Sequence, residues 1–193
     1  MAYRGVGVLY GALGEVGRSS EYYTRAFQLR EHASEREKLE IVSAYYSNVT
    51  GEVDKSAQAD EDEIENYPQD GSGYLNLNAQ YAAQGQYERA AAVARQSLRL
   101  APDRYRVYNA VSTIALALQH FDESRQVIRD AQARKLDDFT LHGDLYNLAF
   151  LEMDSAAMAE QQQWFAGHPD YEDSGLARAS DTEAYAGRVG NGR

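Results

Sequence analysis

Residues 74–102 read YLNLNAQYAAQGQYERAAAVARQSLRLAP, and this stretch decides the fold. Tyr74, Leu77 and Tyr81 fall at helical steps of three and four, Gly85 follows as a turn, and Tyr87, Ala90 and Ser97 begin a second helical run that Pro102 closes. The same landmarks return along the chain. Pro102 follows Pro68 by 34 residues and precedes Pro169 by 67, one step of 34 and one of 33. Tyr74 to Tyr108, Tyr87 to Phe121, Gly51 to Gly85, and Ser56 to Ala90 to Ser124 keep the step of 34. A fixed period of this length marks an array of helix-turn-helix units.

The other units repeat the pattern with local changes. The first carries Tyr3, Val6, Gly7, Tyr10, Gly14, Ser19, Tyr23 and Ala26. The fourth carries Tyr108, Val111, Ala115, Phe121, Ser124, Ile128 and Ala131, and the fifth Leu141, Leu145, Leu148, Ala157, Trp164 and Pro169. The second is irregular: with Leu39, Val42 and Tyr46 inward, one extra residue falls before Gly51. Small residues such as Ala90, Ser124 and Ala157 let the two helices of a pair approach closely, while aromatics fill the wedge between pairs. The prolines stop helices, because proline lacks an N–H and disfavours helix in the residue before it. Ser34 with Glu37 forms a capping box, and Asp103, Asp122 and Asp154 are expected as N-caps. First helices are expected to begin near Ala2, Glu35, Gly73, Arg104 and Phe139, and second helices near Ser19, Asp54, Glu88, Asp122 and Ser155.

A 34-residue unit with this pattern is the length and signature of the tetratricopeptide repeat. The expectation is an all-α, right-handed superhelical solenoid of about five such repeats, because one pair cannot bury its apolar faces alone. The repeats fall at about 1–33, 35–70, 71–104, 105–137 and 138–170, with a capping helix at 172–187, together one domain over 1–188, and a loose tail at 189–193. Several stretches resemble a narrower setting. Tyr3-Arg4-Gly5, Gly11-Ala12-Leu13-Gly14, Ser34-Glu35-Arg36-Glu37-Lys38, Tyr45-Tyr46, Val49-Thr50-Gly51, Ala133-Arg134-Lys135-Leu136-Asp137 and Leu148-Ala149-Phe150-Leu151 are similar to the repeat region C-terminal to the kinase domain in many bacterial eukaryotic-like serine/threonine kinases. That resemblance implies a sensory or docking region whose parent carries a kinase domain, and an array that continues past this chain. One departure is the run Asp60-Glu61-Asp62-Glu63, where the family shows an aromatic. Four adjacent acids repel one another and are costly to bury, so the run is expected to form a solvated helix face. Because Asp60 and Glu63 stand where packing residues belong, the helix over 54–66 is expected to be the weakest in the array.

Composition narrows the function classes. Acids outnumber bases 30 to 19 among 193 residues, for a net charge of −11, which disfavours nucleic acid and anionic membranes as direct partners. No apolar run approaches the roughly 20 residues of a membrane helix, and 1–10 lacks a signal-peptide layout, so the default expectation is the cytoplasm. With no cysteine there is no thiol nucleophile or thiolate metal site. The chain holds no His-Arg-Asp or Asp-Phe-Gly, no His-Glu-x-x-His, no nucleophile elbow and no calcium loop. Gly5-Val-Gly7-Val-Leu-Tyr-Gly11 has one residue too many for a phosphate-cradling loop. His120-x-Asp122 and His142-x-Asp144 would point to different faces of a helix. No enzyme activity, cofactor or metal is therefore expected.

What remains is surface. In the family the first helix of each pair lines a concave groove, through its second, fifth and ninth positions. The resemblance places Arg106, Asn109 and Thr113 there in the fourth unit, Phe139, His142 and Tyr146 in the fifth, and Arg4 in the first. Aromatic and hydrogen-bonding groups together suit an extended peptide or protein segment. The acidic balance favours a basic one. His142 and Tyr146 are expected to be partly exposed. The lysine and asparagine set by which chaperone-binding relatives grip a peptide carboxylate is not matched. The rival expectations are an array that only spaces or dimerises its parent and, last, an enzyme with an unrecognised site.

Overall fold

Gly14, Gly51 and Gly85 adopt left-handed backbone, with φ of 73°, 72° and 72°, and each turns the chain from the first helix of a pair into the second. Gln119 and Met153 hold the corresponding places at φ of 59° without glycine's freedom. These turns separate the helices of a computed structural model that describes residues 2–187. The expected tail at 189–193 lies outside the described residues.

Among the described residues there are eleven α-helices and no strand. Five pairs follow in chain order: α1 (Ala2–Ala12) with α2 (Val16–Gln28), α3 (Glu35–Tyr45) with α4 (Val53–Asn66), α5 (Gly71–Ala83) with α6 (Tyr87–Leu100), α7 (Tyr105–Ala117) with α8 (Phe121–Ala133), and α9 (Phe139–Leu151) with α10 (Ser155–Ala166). A final helix, α11, spans Glu172–Tyr185. The contacts divide the chain into two compact units, Met1–Ala101 holding α1 to α6 and Pro102–Arg193 holding α7 to α11.

Small polar residues meet where the helices of the first four pairs cross. Ser19 Oγ donates to the Gly7 carbonyl at 2.8 Å, Ser56 Oγ to the Ser43 carbonyl at 3.0 Å, and Asn78 Nδ2 to the Ala90 carbonyl at 3.1 Å, while the Ser112 and Ser124 hydroxyls pair at 2.9 Å. A larger side chain at Ser56, Ala90 or Ser124, each 0% exposed, would force the helices apart. The extra residue of the second unit is absorbed in a single π-helical turn over Tyr46–Thr50 at the end of α3. That turn aims Tyr45 and Tyr46 at Phe27 of α2, with ring centroids 4.1 and 5.8 Å away.

The helix starts show which caps the chain uses. Ser34 and Glu37 form the expected capping box, and Asp154 accepts from the Ala156 and Ala157 amides at 3.1 and 3.0 Å. Asp103 and Asp122 do not cap. α7 begins after Arg104, one residue too late for Asp103, and α8 begins after His120, which leaves Asp122 in its first turn. There Asp122 lies near the positive end of the helix dipole and pairs with Arg125 at 2.9 Å. Asp70 and Asp138 supply caps instead, accepting from the Ser72 and Thr140 amides at 2.8 and 3.0 Å.

Candidate protein-interaction surface

The C-terminal unit places α7 beside α9 so that side chains from both line an open recess of about 720 Å³. Its walls include Leu116, Ala117, Phe121, Phe150 and Leu151, and its polar groups are Thr113, Gln119, Asp144 and Asn147. Asn109 and Thr113, one turn apart on α7, both reach Asp144 of α9. Asn109 Nδ2 donates to Asp144 Oδ2 at 3.2 Å, and Thr113 Oγ1 lies 3.1 and 3.3 Å from the two carboxylate oxygens. Asp144 is 5% exposed. Burial pushes its carboxyl up to about 6, and the hydroxyls and amide on α7, with the Arg178 guanidinium, pull back toward the ionised form. The arrangement combines apolar walls with a fixed, buried acceptor. It is suited to holding a segment that brings its own donors.

Of the expected surface residues, Arg106 and Thr113 are exposed and Asn109 is half-buried beside them on α7. Two others are not surface residues. His142 is 6% exposed and Tyr146 only 2%. The His142 ring stacks on Trp164 of α10 with centroids 3.6 Å apart, and its nitrogens lie 2.8 Å from Gln161 Oε1 and 3.1 Å from Asp137 Oδ2. The Tyr146 hydroxyl meets Thr182 Oγ1 of α11 at 2.8 Å. The physical reason is cover: α10 lies over His142, and α11 lies against α9 where a groove would otherwise open. A Cβ on Gly143 would stand only 2.8 Å from the Arg178 guanidinium carbon, and one on Gly175 would fall 2.9 Å from the Phe165 ring. Phe139 is likewise occupied, stacked on Tyr171 at 4.6 Å. Arg4, in the N-terminal unit, forms an ion pair with Glu40 at 3.3 Å and is about one quarter exposed.

The acidic run is not the solvated face expected of it. Asp60 is 0% exposed and Glu63 1%, whereas Glu61 and Asp62 are half-buried, Glu61 accepting from the Tyr81 hydroxyl of α5 at 2.6 Å. With 3.6 residues per turn, Ser56, Ala57, Asp60 and Glu63 share one stripe, and that stripe faces α3 and α5. No carboxylate oxygen of either residue has a hydrogen-bond partner. Ser43 and Gln80 lie near enough to favour the ionised form of Asp60 without making a well-formed bond. Burial is the main force raising both carboxyls to about 7, aided at Asp60 by Glu63 and at Glu63 by Glu40. Arg4 and Arg36 are the nearby cations, with Arg36 Nε 3.8 Å from Glu63 and 3.5 Å from Glu40.

No protein-family model matches the sequence, and no curated protein does. Solved structures do match. A thermophilic TPR protein of Thermus thermophilus superposes with a TM-score of 0.74 at 18% identity, over 95% of this chain and 96% of its own. A tetratricopeptide repeat protein of Parabacteroides merdae gives 0.70 at 16% identity, over 96% and 72%. PilF of Pseudomonas aeruginosa gives 0.67 at 13%, over 97% and 84%. The chain has the all-α tetratricopeptide-repeat fold.

Proposed function

We propose that this chain is a protein-interaction module that takes an extended partner segment on the α7–α9 face of its C-terminal unit, and that it serves as the sensory or docking region of a bacterial serine/threonine kinase. The observation that carries the first half is the recess itself: apolar walls from Leu116, Phe121 and Phe150 surround Thr113, Asp144 and Asn147, groups able to bond a peptide backbone or side chain. The tetratricopeptide-repeat fold of the solved structures supports an interaction role over catalysis. The net charge of −11 favours a basic partner whose affinity falls with rising salt. Arg106, Asn109 and Thr113 continue the proposed surface along α7, and Arg4 is the corresponding position in the N-terminal unit. His142 and Tyr146, buried against α10 and α11, are not part of this face. The kinase half rests on the resemblance of the stretches over 3–5, 34–38 and 133–137.

A photo-crosslinking amino acid at exposed Asn147 should capture a discrete partner in source-cell extract, while the same probe at Arg129, exposed on α8, should not. Equal capture at both would move binding away from this face. An open reading frame with a kinase domain upstream of this chain checks the second half.

A further inference from the structure

The geometry points to a more specific ligand, resting on the reading above: the recess between α7 and α9 receives a lysine or arginine side chain of the partner, whose charge pairs with Asp144. Asp144 lines the recess at 5% exposure, and its carboxylate is held in orientation from α7, by Asn109 at 3.2 Å and by Thr113 at 3.1 and 3.3 Å, with the Ser112 hydroxyl beside it. Among the described residues it makes no ion pair. Arg178, the cation whose field reaches it, spends one guanidinium nitrogen on the Ser174 carbonyl at 2.9 Å. Two oxygens offer about four lone-pair directions. The three contacts from Asn109 and Thr113 leave about one of these directions for a further donor, and Asp144 itself lines the recess.

The remaining walls select the shape of the cation. Leu116, Ala117, Phe121, Phe150 and Leu151 line the approach, and no Lys or Arg is among the lining residues. A compact, fully hydrated ion gains nothing from such walls. A lysine or arginine does, because its methylene stem packs on apolar surface while its head reaches a polar group. The chemistry therefore favours a long cationic side chain over an acidic or neutral one. A carboxylate beside Asp144 would meet like charge at low exposure, and a neutral apolar side chain would leave a buried charge without its counterion.

The test uses the intact chain and random dodecapeptides displayed on phage, followed by synthesis of the selected peptides. Selected peptides should carry a basic residue at a common position and perturb the Thr113 and Asn147 amide resonances. Asp144→Asn, which keeps the side-chain shape, should weaken them about tenfold or more. Replacing the basic residue by norleucine should weaken binding similarly to wild type and add little on Asp144→Asn. Thr113→Lys, at an exposed position, should fill the recess with a cation of its own and exclude the peptide. It tests the idea even if Asp144→Asn folds poorly. Peptides that perturb the recess yet bind Asp144→Asn or Thr113→Lys as tightly as wild type would overturn this inference alone. Selection of no peptide, or only of peptides that leave Thr113 and Asn147 unperturbed, would overturn the segment-binding reading with it.

Discussion

The second helices α4 and α6 occupy the same place in successive pairs, and 34 residues separate their matching positions, yet they bury opposite chemistry. Where α6 has Ala94 and Ser97, both 0% exposed, α4 has Asp60 and Glu63, 0% and 1% exposed. Ser97 Oγ donates to the Gly71 carbonyl of α5 at 2.8 Å, which satisfies it across the helix contact. Glu63 lies against Gly73 of the same helix, with its Cδ 3.5 Å from where a Cβ there would stand, and its oxygens have no hydrogen-bond partner. The difference separates two things a repeat period conflates. Period fixes which side chains point inward, through helix geometry. It does not fix whether those side chains are comfortable there.

The largest effect is expected from copying the α4 chemistry into α6. Ala94→Asp places a carboxylate in a packed site without a donor, and about 3–5 kcal/mol of stability should be lost by analogy with an uncompensated buried charge. Urea denaturation followed by circular dichroism measures it. A loss below about 1 kcal/mol would mean that these inward positions tolerate charge.

The converse change should stabilise. Asp60→Asn with Glu63→Gln keeps shape and removes charge, and should raise stability on the order of 2 kcal/mol at about pH 8. The sign follows from linkage. Both carboxyls titrate near 7 when folded, against ordinary values of 3.8 and 4.5, so the folded chain holds these protons more tightly. Their favourable contribution is fully present below the ordinary values and is lost as pH rises through about 7. Asp144, raised to about 6, acts in the same direction. Arg4 from α1, Arg36 and Glu40 from α3, and Asp70 before α5 are the charged groups around the α4 pair. The wild type should therefore be more stable at about pH 5.5 than at about pH 8, and the double variant should lose most of that difference. A wild-type profile that falls on acidification over this window would show the pair ionised and satisfied by some other means.

Much of the fold was legible because helix pairs repeat the same contacts. The positions of Ser56, Ala90 and Ser124 announced the helix crossings, and Gly51 and Gly85 the turns. The extra residue before Gly51 was visible in sequence, and the structure adds that a π-helical turn holds it. The capping aspartates were half legible: Asp103 and Asp122 failed by one or two residues, a margin that pattern alone cannot resolve. The surface was read less well, for one physical reason. Position within a repeat says that His142 and Tyr146 face the side of α9 where a groove would open, but exposure depends on what covers that side. Gln161 and Trp164 of α10 and Thr182 of α11 supply the cover. Asp144 was visible only as half of a His-x-Asp pair, because its partners Asn109 and Thr113 are 35 and 31 residues away.

The smallest expected effects contrast turns within single pairs. Gly85 has φ of 72°, and a Cβ there would meet no atom within 4 Å. Gly85→Ala therefore isolates the backbone term, and should destabilise by about 1 kcal/mol, the penalty of left-handed geometry for an L-residue. Gln119 occupies the corresponding turn of the α7–α8 pair at φ of 59° and already bears that penalty. Gln119→Gly removes it but also frees the unfolded chain, and the two terms are of similar size. The net change should stay within about 0.5 kcal/mol. Chemical denaturation of both variants, with native circular dichroism as a check on helicity, measures the pair. A loss of about 1 kcal/mol or more at Gln119→Gly would mean that the side chain, not the backbone, holds that turn. Equal effects at the two sites would remove the distinction between glycine turns and side-chain turns on which the comparison rests.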